Sequence, residues 1–347
     1  MLSSCHKEIA PETPDKLFEK YSDNVLLIAN QYYYEINLDG MLLYYSPSSE
    51  KKIFSDKEEV LKNLSFSTGT GFVISSNGEI LTNRHVVNPI DKNYKEELNR
   101  LRNNKRQILS YNIERYNDTL TNMKNYYYEN SSILEEYQKD NMNTNYNLLN
   151  DKVKQLRDDD EIFANFDINN STSKLVVYKL AIAFNDTHVT ELDDLQECVI
   201  IKESDNENVD LALIQTKSKI LNKAPKFFLN FKDNNPNIIA NPEKFKERDI
   251  QKPVKINDDV YMIGYNKGFS LANTSQGIKS QFTSGKISQE NDGERILYTI
   301  PTLEGSSGSP IIDKWGNLIG VNFAKVSNSQ GFSFGIPVYE VKKFYEE

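Results

Sequence analysis

Gly305-Ser306-Ser307-Gly308-Ser309-Pro310 sets two serines between two glycines, and an apolar pair, Ile311-Ile312, that reads as a strand follows directly. A serine hydroxyl is a poor nucleophile near neutral pH. One used for covalent chemistry needs a base beside it and donors aimed at the oxyanion that its attack creates. Without a Cβ at Gly305 and Gly308, the backbone can bend tightly around Ser307 and turn the N–H groups of Gly305 and Ser307 into one pocket. Read alone, the hexapeptide is equally an ordinary Gly/Ser turn between two strands. Its partners elsewhere in the chain decide between the two.

Outward from that turn, the chain offers only three histidines as a base. His6 lies in a polar tail, and His188 follows Asn185-Asp186-Thr187 in a turn pattern. His85 is different. Ser67 to Ser75 is a glycine-punctuated strand, Asn77-Gly78 is a tight-hairpin pair, and Ile80 to Asn83 is the return strand that delivers His85. So few histidines weaken metal-site readings that need several ligands. The third group is Asp210, an ionisable residue opening the apolar run Leu211-Ala212-Leu213-Ile214. Burying it is costly unless something needs its charge, such as a histidine to be oriented. A strand-end carboxylate capping a turn is the competing reading.

Composition excludes several classes. The chain has 347 residues, 38% hydrophobic and 26% charged, with a net charge of −9, and no run approaches the length of a membrane span. Scattered basic residues on an acidic chain give no footprint for nucleic acid. Cys198, in an apolar stretch, reads as a buried inert thiol. Leu2-Ser3-Ser4-Cys5 resembles the end of a bacterial lipoprotein signal, although only four residues precede Cys5. Localisation stays open: cytoplasmic if Met1 is the true start, a cell-envelope lipoprotein if Cys5 follows a missing signal segment.

Between Asn88 and about Ser171 the character changes. No glycine occurs from Glu79 to Ile263, and Ile113, Tyr116, Leu120, Met123 and Tyr127, then Leu149, Val153 and Leu156, recur at helical spacing. The pattern predicts a long helical hairpin turning at Asn141 to Asn145, with Asn130-Ser131-Ser132 as the alternative. Its apolar stripe reads as a packing seam, or as a surface where a protein partner docks. Residues 31–64 suggest an additional hairpin and loop of unassigned role. Elsewhere many short strands separated by turns indicate antiparallel barrels or sandwiches.

Taken together, Gly69-Thr70-Gly71-Phe72, Leu81 to Val87 around His85, Val209 to Leu213 around Asp210, Gly305 to Pro310, and Gly331 to Pro337 resemble the trypsin-like serine peptidases of bacterial HtrA type. The resemblance covers roughly residues 17–88 and 173–345. The order His, Asp, Ser separates the chain from α/β-hydrolases, which run Ser, acid, His and carry G-x-S-x-G where this chain has Ser309 in fifth place.

The resemblance implies a mainly β fold of two antiparallel barrels with a helical insertion. A polar tail (1–16) precedes a first barrel (17–88 and 173–218) interrupted by the insertion (89–172). A connection (219–256) then leads to a second barrel with a C-terminal helix (257–347). It implies a serine endopeptidase acting on protein or peptide substrates through His85, Asp210 and Ser307, with the Gly305 and Ser307 N–H groups as oxyanion hole and no metal or organic cofactor. The substrate pocket would involve Thr302, Asn322 and Ala324. Thr302 and Ser309 are also similar to the glutamyl endopeptidases, but those place a histidine at Asn322, which is closer to the HtrA pattern and its small or medium apolar preference. The chain ends at Glu347 without the peptide-binding PDZ domain of most HtrA proteins, so the insertion is expected to recruit or gate. The alternative is a silent or latent scaffold whose insertion binds a partner.

Overall fold

The computed structural model describes residues 11–91, 93–206, 208–226, 254–289, 294–325 and 331–347, with 324 and 325 described by backbone only. Most of the 219–256 connection, and the tail around Cys5 and His6, lie outside the described residues. The chain forms two units, one of Met1–Tyr32, Ser65–Ile90 and Val177–Glu347, the other of Tyr33–Leu64 and Asp91–Val176.

The first unit opens with helix α1 (Pro14–Tyr21), which begins inside the expected tail because Pro14 occupies the first turn, where a missing N–H costs nothing. Strand β1 (Val25–Leu38) runs through both units, and in the second unit its far half pairs with β2 (Met41–Tyr45), which pairs with β3 (Ile53–Phe54). Helix α2 (Lys57–Leu61) follows, capped by the Asp56 side chain. The first unit resumes with β4 (Ser65–Val73), β5 (Glu79–Thr82) and the one-turn helix α3 (Arg84–Val87). After the helical insertion come β6 (Thr172–Phe184), β7 (Gln196–Glu203) and β8 (Ala212–Thr216). The order β1-β4-β5-β8-β7-β6, with β6 pairing back to β1, closes a six-stranded barrel.

Strands β1, β4, β5 and β8 bury apolar residues on both faces, because each face has something to cover. Leu26, Ile28, Val73, Ile80, Ala212 and Ile214 fill the barrel. Their neighbours Val25, Leu27, Phe72, Leu81, Leu211 and Leu213 join instead a cluster with Ile263, Tyr265, Ile312, Val321 and Ile336 of the chain's last third. The period of two along each strand therefore divides one barrel's interior from the layer between barrels.

The second barrel is built from β9 (Asp259–Gly264), β12 (Gln281–Lys286), β13 (Ile296–Tyr298), β14 (Pro310–Asp313), β15 (Leu318–Lys325) and β16 (Ser333–Pro337), in the order β12-β9-β14-β15-β16-β13. A bridge from Ile287 to Tyr298 joins the two ends of that sheet. Between β9 and β12 lie helix α6 (Phe269–Ala272) and a two-residue hairpin, β10 (Asn273–Thr274) and β11 (Gly277–Ile278). Helix α7 (Val338–Glu346) closes the chain and buries Val341 and Phe344. The fold is thus mainly β, with two antiparallel barrels and a helical insertion.

The second unit is where two stretches read separately in the sequence come together. Helices α4 (Tyr94–Asn130) and α5 (Glu136–Asn165) form the hairpin. Its root shares a unit with β2, β3 and α2: Tyr45 Oη donates to Asp91 at 2.9 Å, and Lys52 pairs with Glu97 at 2.8 Å. The expected seam forms, with Leu120, Val153 and Leu156 buried, and Arg106 clamps Asp160 by two bonds of 2.8 and 3.1 Å. The turn is not at 141–145, which lies inside α5. It falls at the alternative, after Asn130, because Glu135 and Gln138 build a capping box that starts α5 there. An asparagine costs a helix interior only about 0.7 kcal/mol, too little to break it against such a start. No described helix is long and apolar enough to cross a membrane.

Candidate active site

Strand β5 ends at Thr82, and the chain turns into α3 under the control of Asp210. The Asp210 carbonyl accepts from Asn83 Nδ2 at 2.7 Å and from the Arg84 N–H at 3.3 Å. Its carboxylate accepts the His85 N–H on Oδ1 at 3.0 Å and faces His85 Nδ1 through Oδ2 at 2.5 Å. One residue thereby sets both the backbone and the ring of His85. The other side of α3 is seated by Asn30, whose Nδ2 donates to the Val86 and Val87 carbonyls at 3.0 and 3.1 Å. Gly69 makes that seat possible, since a Cβ there would stand 2.4 Å from Val86 Cγ1.

The two side chains differ in exposure, 46% for His85 and 16% for Asp210. Burial pushes the Asp210 carboxyl up, but the hydrogen bonds and charge of His85, with help from Arg84, outweigh it and hold the group below the usual carboxylate range. With Nδ1 committed to Asp210, Nε2 is the ring nitrogen left for chemistry.

The Ser307 turn is held by its carbonyls. Glu304 O accepts from the Lys267 N–H at 2.5 Å and Gly305 O from Thr70 Oγ1 at 2.8 Å. Ser306 O accepts from Asn322 Nδ2 at 2.8 Å and Ser307 O from the Thr70 N–H at 2.8 Å. Gly305 and Gly308 have φ of +92° and +87°, and a Cβ on either would meet backbone, Tyr265 O at 2.4 Å or Thr70 O at 2.0 Å. Only glycine fits both positions. Among the described residues, the Gly305 and Ser307 N–H groups have no acceptor.

His85 and Asp210 are thus in direct contact, whereas Ser307 Oγ has no hydrogen bond to His85. The two halves meet through β4 instead. Thr82, three residues before His85, donates through Oγ1 to the Thr70 carbonyl at 2.7 Å, and Thr70 in turn holds the Ser307 carbonyl.

The expected pocket residues separate. Thr302 is buried, its Oγ1 2.8 Å from Ser333 Oγ, which donates to Ile300 O at 3.1 Å. Asn322 is also buried, but its amide is fully engaged: Nδ2 by Ser306 O and Oγ, and Oδ1 by Tyr298 Oη at 2.6 Å. It supports the serine turn and has no free donor for a substrate. The Ala324 side chain lies outside the described residues. Reading the sequence missed Thr70, Ser333 and Tyr298. Only Thr70 carried a local signal, the glycines on both sides that announce close backbone approach. Cys198 is a buried thiol pushed up to about 12 by burial, in keeping with an inert structural role.

Among solved structures, the serine endoprotease from Yersinia pestis aligns with a TM-score of 0.45 and 15% identity, covering 97% of this chain and 67% of that one. The family profile described as "Trypsin-like peptidase domain" matches residues 138–321, a span that contains Asp210 and Ser307 but not His85. That match takes in more than half of the 347 residues, and the chain belongs to the trypsin-like peptidase family.

Proposed function

We propose that the chain is a serine endopeptidase of HtrA type that cleaves peptide bonds through an acyl-enzyme. The observation that carries this reading is the Asp210 carboxylate holding both the backbone N–H and Nδ1 of His85. In the proposed cycle Ser307 Oγ attacks the scissile carbonyl carbon while His85 Nε2 takes the hydroxyl proton. The carbonyl oxygen becomes an oxyanion between the Gly305 and Ser307 N–H groups. Collapse breaks the C–N bond, the leaving amine receives the proton from His85, and water repeats the sequence to release the acyl group. Asp210 keeps the ring in the tautomer that leaves Nε2 as acceptor and stabilises the imidazolium. A hydrogen bond from Ser307 to His85 would form as substrate closes the site, since such bonds tighten in the Michaelis complex.

A latent site would turn the Glu304–Gly305 peptide so that its carbonyl entered the pocket. The bond from the Lys267 N–H to Glu304 O supports the assembled form. Thr302, with Ser333 behind it, lines an uncharged pocket in this reading, suited to small or medium side chains. A burst of p-nitrophenol from an activated ester, equal in amount to the enzyme and absent in His85→Ala, is expected. A folded protein giving no burst would count against the proposal.

The helical insertion is proposed as an arm for a protein partner or substrate. The supporting observation is its exposed Tyr126, Tyr128, Ile133 and Tyr137, more large apolar surface than a solvated hairpin needs. Replacing the three tyrosines by serine is expected to lower cleavage of a folded protein substrate at least about fivefold, the size of a lost contact of roughly 1 kcal/mol, and to spare a short peptide. Equal loss on both, or none, would argue otherwise.

A further inference from the structure

We propose that Thr70 is a positioning residue for the oxyanion pocket, an inference that rests on the serine-peptidase reading above. Thr70 is fully buried in β4. Its Oγ1 accepts the Tyr265 N–H at 3.0 Å and donates to Gly305 O at 2.8 Å, so the single hydroxyl hydrogen is committed to the serine turn. Its N–H donates to Ser307 O at 2.8 Å. One residue, 235 positions away in sequence, therefore holds the carbonyls on either side of Ser306.

The consequence follows from peptide planarity. A carbonyl anchored on one side obliges the N–H of the same peptide to point to the other. Lys267 and Asn322 anchor the Glu304 and Ser306 carbonyls, which aims the Gly305 and Ser307 N–H groups away from those donors. Between these two peptides lies the one whose carbonyl Thr70 holds, and it starts at Gly305, a glycine with φ +92° and the widest conformational choice in the turn. Without the hydroxyl the Gly305–Ser306 peptide loses its anchor, and the Gly305 N–H, then held by the Lys267 bond to Glu304 O alone, drifts from the direction in which charge develops. Binding of the uncharged ground state depends on this far less than stabilisation of the oxyanion does.

Thr70→Val removes the hydroxyl and keeps the shape; Thr70→Ser keeps the hydroxyl. For Thr70→Val the expected result is a fall in kcat of about 10- to 100-fold, below the loss of a whole oxyanion donor, with KM within about twofold. Affinity for a peptide aldehyde should fall by the same factor as kcat, while a non-reactive peptide inhibitor binds unchanged. Thr70→Ser should recover activity to within about threefold. A structural role alone would lower stability in both assays' variants without splitting aldehyde from inert peptide. If circular dichroism shows Thr70→Val unfolded, Thr70→Ala is put through the same pair of inhibitors. An active wild type with kcat unchanged in the folded variant, or with the loss carried by KM, overturns this inference alone. A folded wild type that neither hydrolyses peptides nor binds the aldehyde overturns the serine-peptidase reading and this inference with it.

Discussion

Asp210→Asn is expected to lower kcat by about 10⁴-fold near neutral pH while the chain still folds. Asp210 faces His85 with two acceptors, one for the backbone N–H and one for Nδ1. An asparagine that keeps its oxygen on the backbone N–H turns an NH₂ toward Nδ1. The ring must then accept at Nδ1 and carry its proton on Nε2, where it cannot take one from Ser307. The same substitution reads out the charge. The Asp210 carboxyl is held below its ordinary value, so its contribution to stability is fully present above about pH 4 and is lost as pH falls through the lowered value. The urea midpoint of Asp210→Asn should therefore lie below wild type at pH 6, and the gap should narrow as pH falls below about 4. A gap independent of pH would mean that the hydrogen bonds of His85 do not stabilise the Asp210 carboxylate in the folded chain.

Ser307→Ala is expected to lower kcat by about 10⁶-fold, the residual rate coming from the pocket and from binding. Its effect on stability should be within about 0.5 kcal/mol. That contrast is the informative part. Ser307 is held through its carbonyl by Thr70, a bond alanine preserves, and its hydroxyl makes no hydrogen bond to a described residue. A residue kept for structure would show the reverse, a marked loss of stability with activity following it. Peptide hydrolysis and urea unfolding on one preparation distinguish the two.

Where the sequence was readable, the information was local. The glycines at 305 and 308, the Asn-Gly hairpin before His85 and the apolar run after Asp210 each declare their conformation within a few residues, and the short strands between them indicated barrels. What could not be read was decided at long range. Thr70 bonds Gly305 across 235 positions, and nothing at either end states that partnership. Asn322 is pocket wall only by the family resemblance, and its amide is engaged by Ser306 and Tyr298. Residues 31–64 gave no role because their unit is completed by Asp91–Val176, beyond the whole β4–β5 hairpin. The asparagine cluster at 141–145 is a weak helix breaker, and the stronger signal is the glutamate three residues before a glutamine, Glu135 and Gln138, which forms a capping box.

Reaction of the intact protein with a fluorophosphonate probe, mapped by peptide mass, tests the central claim most directly. The account predicts one adduct per chain, on Ser307, that is abolished in His85→Ala and slowed in Asp210→Asn. Labelling that persists in His85→Ala at the wild-type rate, or a folded protein that is not labelled at all, would contradict it.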